Sequence, residues 1–375
     1  MSVRHRKRRV VAGVLGAVVC ATALASAVQL GVFSSTAVLW ASGVLCAPAE
    51  GLAATKDVLA QRADSALPAQ TQADEPLSAQ PAPQQALPTL APQATSAAPT
   101  LGESTGPPPE GAGPIEETTF AAQPTTQYYI PVGVASVYNC SDASSAMLAA
   151  EIEKGLPFTI QSNTAEPQVL ILHTHATECY EAADRPWWDP LSTCRTQDTA
   201  QNMVAVGNEI AQQLTQAGIT TLHDTTLHDY PSYTGSYANS RATAEKYLQQ
   251  YPSIKVILDV HRDAIQRQDG TRIKPVATID GEKAAQIMII CGANNDGNLP
   301  NSTQNLRFAA RLADTAETMF PGLMRPVLYD FRFYNQDLTT GCLLLEMGGH
   351  ANTLNEAKAS GRFIGRALAV TLLQG

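Results

Sequence analysis

Three stretches of this chain end an apolar run in histidine and carboxylate. LILHTHATECY supplies His173, His175 and Glu178; ILDVHRDA supplies Asp259, His261, Arg262 and Asp263; LLLEMGGHAN supplies Glu346, His350 and Asn352. Four of the seven histidines fall in these stretches, so most of the imidazole shares one kind of local setting. Polar side chains gather at strand ends wherever a chain meets water, and that accounts for one such stretch more readily than for three. Imidazole nitrogen with carboxylate oxygen is a borderline donor set that suits Zn²⁺, and catalytic zinc commonly keeps three protein ligands and one open position. His175, Glu178 and His261 can supply the three ligands. Glu346 then remains to take a proton from water and return it to a leaving amine. The spacing is not that of a zincin helix, because no HExxH occurs. No serine follows an apolar run in a tight turn, which weighs against a serine hydrolase. Cys179 directly follows Glu178 and would lie near His175, but papain-like local sequence is missing.

The elements around these stretches alternate. Apolar runs at 168–175, 254–261 and 342–348 predict buried parallel strands, with their polar groups at the C-terminal edge. A 3.6-residue period through Met203, Val206, Ile210 and Leu214, stopped by Gly218, predicts a helix. Further helices are expected at 142–154, 240–251, 305–319 and 353–373. A short strand is expected at 219–222, and the runs VATID and QIMIICG give two more, with Gly281 in the turn between them. Folded sequence is expected to begin near Tyr128. The pattern predicts an α/β fold: a mostly parallel twisted sheet with helices on both faces, and its ligand site beyond the C-terminal strand ends.

Composition changes along the chain. Arg4, Arg6, Lys7, Arg8 and Arg9 precede 24 residues without a charge, Val10 to Phe33. A bilayer core needs about 20 helical residues, so this stretch predicts a membrane anchor with its basic tip in the cytoplasm. A cleaved signal peptide is the competing reading, with small residues at 21–27 for the cleavage site. Half of the 24 prolines lie between Pro68 and Pro124, among Ala, Gln, Ser and Thr. Such a segment lacks the apolar side chains that offset the entropy of ordering. The expected organisation is a basic tip and transmembrane helix (1–47), a disordered linker (48–127) and a catalytic domain (128–375). A net charge of −9 argues against a nucleic-acid binder. Among seven cysteines there is no CxxC; Cys179 and Cys194 are close enough in sequence to close a loop.

The segments LILHTHATECY, RTQDTAQNMVAVGNEIAQQL, HDTTLHDYPSYTGSY, LDVHRDA, GEKAAQIMIICG, TQNLRFA and FYNQDLTTGCLLLEMGGHANTLNEA occur in order over roughly 165–373. With the anchor-and-linker layout, they resemble the stage II sporulation protein P family, exported cell-wall hydrolases of endospore-forming bacteria. That family is similar to zinc-dependent N-acetylmuramoyl-L-alanine amidases. The resemblance implies a membrane-held peptidoglycan hydrolase on the cell-wall side, acting in engulfment. It would cut the amide between the glycan lactyl group and the stem peptide, and peptide cross-links as well. Stage II sporulation proteins D and M are the partners it implies. Carried over residue by residue, zinc falls on His175 and His261 and the base on Glu346, with His173 beside the ligands. The middle ligand falls on Glu178 or on Asp198, whose other reading is a carboxylate facing a helix N-terminus. Arg262 is expected to grip substrate carboxylate or oxyanion, or to clamp strand ends with Asp263. Asn335 and Gln336 are expected to hydrogen-bond substrate or cap a loop. His223 and His228 read as loop histidines. Trp187 and Trp188, with Tyr180, read as a sugar-stacking wall or a packed insertion. The alternative function is an inactive peptidoglycan-binding scaffold.

Overall fold

The computed structural model describes residues 107–374. The expected anchor and residues 48–106 of the expected linker lie outside the described residues. Among the described residues no helix is long and apolar enough to cross a membrane.

In chain order the elements are β1 (Gly113–Thr118), β2 (Tyr129–Val132), β3 (Ala135–Asn139), α1 (Ser145–Ile152), β4 (Val169–Leu172), β5 (Trp187–Trp188) and α2 (Met203–Gln216). Then follow β6 (Thr221–His223), α3 (Ser236–Gln250), β7 (Val256–Asp263), β8 (Arg272–Ile279), β9 (Glu282–Ala285), β10 (Ile287–Gly292), α4 (Ser302–Met319), β11 (Val327–Asp330), β12 (Gly341–Gly349) and α5 (Leu354–Gln374). The main sheet has the order β2-β3-β11-β10-β12-β7-β4-β6. Its neighbours run parallel except β2 with β3 and β10 with β12. The α/β expectation therefore matches the observed architecture.

Strand periodicity divides the sheet's side chains between two faces. Val169, Ile171, Val256, Leu258, Val260, Leu343, Leu345 and Met347 enter the large core with residues of α1, α2, α4 and α5. Leu170, Leu172, Ile257 and Cys342 point the other way and pack with Ala244 and Leu248 of α3. Helices thus cover both faces, but the second face carries a much smaller apolar cluster. The helix expected through Met203, Val206, Ile210 and Leu214 forms with all four buried. Its first turn is capped by the Asn202 side chain, which accepts from the Val204 N–H at 3.0 Å.

Two expectations are corrected. The linker does not extend to residue 127, because β1 pairs parallel with β8 and antiparallel with β5. Gly113 leaves room for Trp188 there; a Cβ would stand 2.4 Å from the indole. VATID lies in β8, and the turn at Asp280 and Gly281, both at positive φ, leads into a separate strand β9 before the QIMIICG strand β10. The resulting second sheet has the order β5-β1-β8-β9.

Candidate metal centre

Strands β12, β7 and β4 are parallel neighbours, so the three polar stretches arrive side by side at one sheet edge. Leu172 is level with Asp259, and His261 with Glu346. Counting in twos from Ile257 puts Asp259, His261 and Asp263 on the α3 face. Counting from Cys342 puts Glu346 there too. This face has the smaller apolar cluster.

His175 lies past β4 and is buried. Its ring stacks on Tyr233, with centroids 4.5 Å apart, and meets His261 edge-on at 5.2 Å. Its Nδ1 is buried without a hydrogen-bond partner. Burial, aided by the His261 charge, pulls its pKa down to about 4. Glu178 follows on a short antiparallel bridge to Arg195. Its Oε2 stands 3.7 Å from His261 Nδ1 and accepts the Arg262 backbone N–H at 3.3 Å. Its Oε1 faces Arg195 Nη2 at 3.5 Å and Arg262 Nη1 at 3.8 Å. On the far side of the His261 ring, Asp259 Oδ1 is 2.8 Å from Nε2. That oxygen lies off the N–H direction, so Nε2 makes a close charge contact rather than a regular hydrogen bond. Burial alone would lower the His261 pKa, but Asp259, with Glu178 and Glu346, raises it to about 9.

Glu346 is half-buried as a residue, yet its Oε2 is shut off from water and has no hydrogen-bond partner. The atom's own environment governs its ionisation. Burial, then repulsion from Asp263, raises its pKa well above the carboxylate range, against the pull of His261. A positive-φ Gly348 and a register shift after Glu346 turn the strand just beyond it.

The remaining sequence candidates divide. Asp198 is exposed, and its Oδ1 accepts the Ala200 N–H at 2.9 Å; Glu178, not Asp198, stands beside the His261 imidazole. His173 points to the opposite face. Its Nδ1–H donates to Val260 O at 2.9 Å and its Nε2 meets His223 Nε2 at 2.8 Å, so both ring nitrogens are engaged. Asp263 is neutralised by Arg325 at 2.9 Å. Arg262 donates from Nε to Cys179 O at 3.0 Å and from Nη2 to Cys194 O at 3.1 Å. Its Nε and Nη2 thus hold the backbone beside Glu178. Gln336 is corrected outright: fully buried, it binds the backbone of Gly292 and Ile290 with its own amide. Asn335 donates to Tyr237 O at 2.9 Å and Ser240 Oγ at 3.3 Å, an internal role. His228 is buried, not a surface loop residue, and Tyr180 is buried with its hydroxyl on Met347 O. Trp187 and Trp188 form β5, under the guanidinium groups of Arg185 and Arg272. The Cys179 thiol is pushed up to about 11 by burial, which disfavours it as a nucleophile. Sequence reasoning missed Arg195 and the tyrosines around the imidazoles, Tyr233, Tyr237 and Tyr334. Their only signal is the aromatic content of the loops beside the site.

Two acidic groupings compete as cation sites. Glu117, Asp184 and Glu356 offer carboxylate oxygens within 4.8 Å of one another, which the His175, Glu178 and His261 donors do not all do. Lys274 Nζ, however, stands 3.1, 2.7 and 2.7 Å from these carboxylates, so an ammonium already fills their centre. At the strand edge the nearest side-chain cations, Arg195 and Arg262, stand 3.5 and 3.8 Å from Glu178 Oε1. His175 Nδ1 and Glu346 Oε2 are buried without partners, and His261 Nδ1 faces Glu178. The mixed imidazole–carboxylate set there fits Zn²⁺, with small side-chain rotations to gather the donors.

A mostly parallel α/β sheet with a polar site at the carboxyl ends of its central strands defines the class: an α/β protein built in the enzyme-like, doubly wound manner. Within it, the chain belongs to the stage II sporulation protein P (SpoIIP) family, whose model matches residues 109–369. It is 32% identical over 199 residues to Stage II sporulation protein P of Bacillus subtilis (strain 168), a match covering 50% of this chain and 47% of that protein. The match therefore spans about half the length of that relative. Among solved structures it is similar to the N-acetylmuramoyl-L-alanine amidase AmiC2 of Nostoc punctiforme, at 11% identity and TM-score 0.33, covering 55% of this chain and 96% of that one. The catalytic domain of CwlV, an N-acetylmuramoyl-L-alanine amidase from Bacillus (Paenibacillus) polymyxa var. colistinus, gives 13% and 0.32, covering 55% and 97%. Likeness at that level carries no functional inference.

Proposed function

We propose that this chain is a zinc-dependent peptidoglycan hydrolase of sporulation. It cleaves the N-acetylmuramoyl-L-alanine amide, with peptide cross-links as a further substrate. The observation that carries this reading is the meeting of His175, Glu178 and His261 with the unpartnered carboxylate of Glu346 at one strand edge. Family membership supports the sporulation setting. The anchor, the cell-wall side of the membrane, engulfment and partners D and M belong to the same proposal.

His175, Glu178 and His261 would hold the ion, which would supply Lewis acidity toward a carbonyl and a water. Glu346 moves the proton. Its raised pKa brings it toward the operating range of a general base that later acts as an acid. It accepts a proton from the attacking water and gives it to the departing amine nitrogen. Arg262 and Arg195 act indirectly, fixing the Glu178 carboxylate from two sides. Tyr233 covers one face of the His175 ring and limits water access there.

The test is digestion of peptidoglycan sacculi by the chain, with and without chelator, the products read by mass spectrometry. Free stem peptides that vanish with chelator and return with zinc are expected. E346Q should retain zinc and lose activity by at least about 10²-fold. Binding to sacculi without released fragments would instead favour the scaffold.

A further inference from the structure

Behind His261 runs a line of buried polar side chains that the reaction itself does not use. Asp259 Oδ1 accepts the Thr174 backbone N–H at 2.8 Å and stands 2.8 Å from His261 Nε2. Asp259 Oδ2 is 2.6 Å from Thr174 Oγ1, which is 2.7 Å from Ser240 Oγ on α3. Asn335 Nδ2 reaches Ser240 Oγ at 3.3 Å. Thr174, Ser240 and Asp259 are all at least nine-tenths buried. Proton counting fixes the step next to the carboxylate. A carboxylate only accepts, so Thr174 gives its single hydroxyl proton to Asp259. Thr174 Oγ1 stays in contact with Ser240 Oγ, which also donates to Tyr237 O at 3.2 Å and accepts from Asn335. Thr174 thus holds the carboxylate directly, Ser240 and Asn335 back up Thr174, and the carboxylate's other charged neighbour is the His261 ring.

We propose that Asp259 is a positioning residue for the metal. Its negative charge, 2.8 Å from His261 Nε2, favours the proton on that nitrogen and leaves Nδ1, the nitrogen 3.7 Å from Glu178 Oε2, as the ligating atom. The physical basis is general: a carboxylate on the far nitrogen of a ligating histidine fixes tautomer and ring orientation and raises ligand basicity. Thr174, Ser240 and Asn335 hold Asp259 in turn, which gives Asn335 an internal task. This inference rests on the metal reading above and deepens it.

The experiment is zinc affinity of the full chain by chelator competition, for wild type, D259A, D259N and T174V. It is paired with imidazole ¹⁵N shifts of His261 in the zinc-loaded wild type, assigned with H261Q. D259A should bind zinc about 10–100-fold more weakly. D259N, which can still accept one hydrogen bond, and T174V should lose less. The His261 shifts should show Nε2 protonated and Nδ1 metallated. Wild-type affinity in folded D259A, or metallation at Nε2, overturns the positioning role while leaving zinc binding intact. A wild-type chain that takes up no zinc overturns the metal reading and this inference together. Should D259A not fold, the wild-type ¹⁵N shifts decide.

Discussion

His173 and His175 differ by two positions and do opposite things. His175 keeps an unpartnered Nδ1 beside His261, whereas His173 is locked between Val260 and His223. Burial pulls the pKa of His173 to about 3, with the His223 charge adding to the effect, and burial takes His223 to about 4. His350 falls to about 3 through burial and then the nearby Arg262 and Arg272. The sign follows from proton counting. Below the reference value of 6.5 the unfolded chain binds protons that the fold refuses. These three histidines therefore contribute stability above pH 6.5 that is lost progressively as pH falls toward 4 and 3. His261, raised to about 9, works the other way: its contribution is full below 6.5 and fades as pH rises through 9. His175, lowered to about 4, adds to these three, while Glu346, its pKa raised by burial, sides with His261; four histidines against two groups, the melting temperature of the metal-free chain should drop between pH 7.5 and pH 5. Replacing His223 by Gln should flatten that slope. A melting temperature independent of pH across this window would contradict the assignment.

Helix α2 reaches the sheet closely because one residue on it has no side chain. A Cβ on Gly207 would stand 2.5 Å from His223 Nε2 and 2.7 Å from His173 Nε2. Gly207→Ala should therefore destabilise by about 1–3 kcal/mol, the cost of overpacking, read by urea denaturation. If His223 swings outward to make room, the loss will be at the low end. Strand β8 carries the second test. The side chain of Lys274 is 1% exposed and bound by carboxylates from β1, the loop before β5, and α5. Lys274→Met removes the ion-pair partner of the buried Glu356, a loss of the order of 3 kcal/mol. The half-exposed Glu117 and Asp184 can turn to water, which keeps the figure at the lower end of the range for broken buried pairs.

For the whole molecule, the two acidic groupings give opposite expectations about metal. One zinc per chain is expected, at the strand edge. H261A should abolish its tight uptake, while E117Q with D184N should leave the stoichiometry unchanged, as read by elemental analysis after gel filtration. Zinc lost from the second protein and kept by the first would reverse the assignment.

The sequence by itself determined the alternation of strands and helices and the three polar strand ends. Both follow from local periodicity, which depends on near neighbours along the chain. It also carried the donor types, because His175, Glu178, His261 and Glu346 each close an apolar run or sit just past one. Only the tertiary structure decided which of two nearby groups faces the strand-edge cluster. His173 and Asp198 have the right chemistry, but strand parity turns one to the opposite face and the other stands in solvent. Gln336 looked available for substrate because its loop is polar; its amide is consumed by the backbone of Gly292 and Ile290. β1 was hidden because GPIEET has little apolar character of its own. It is ordered by pairing with β8, more than 150 residues away in sequence, and by Lys274 waiting for Glu117. Face, register and long-range pairing are properties of the assembled sheet, and no local window of sequence contains them.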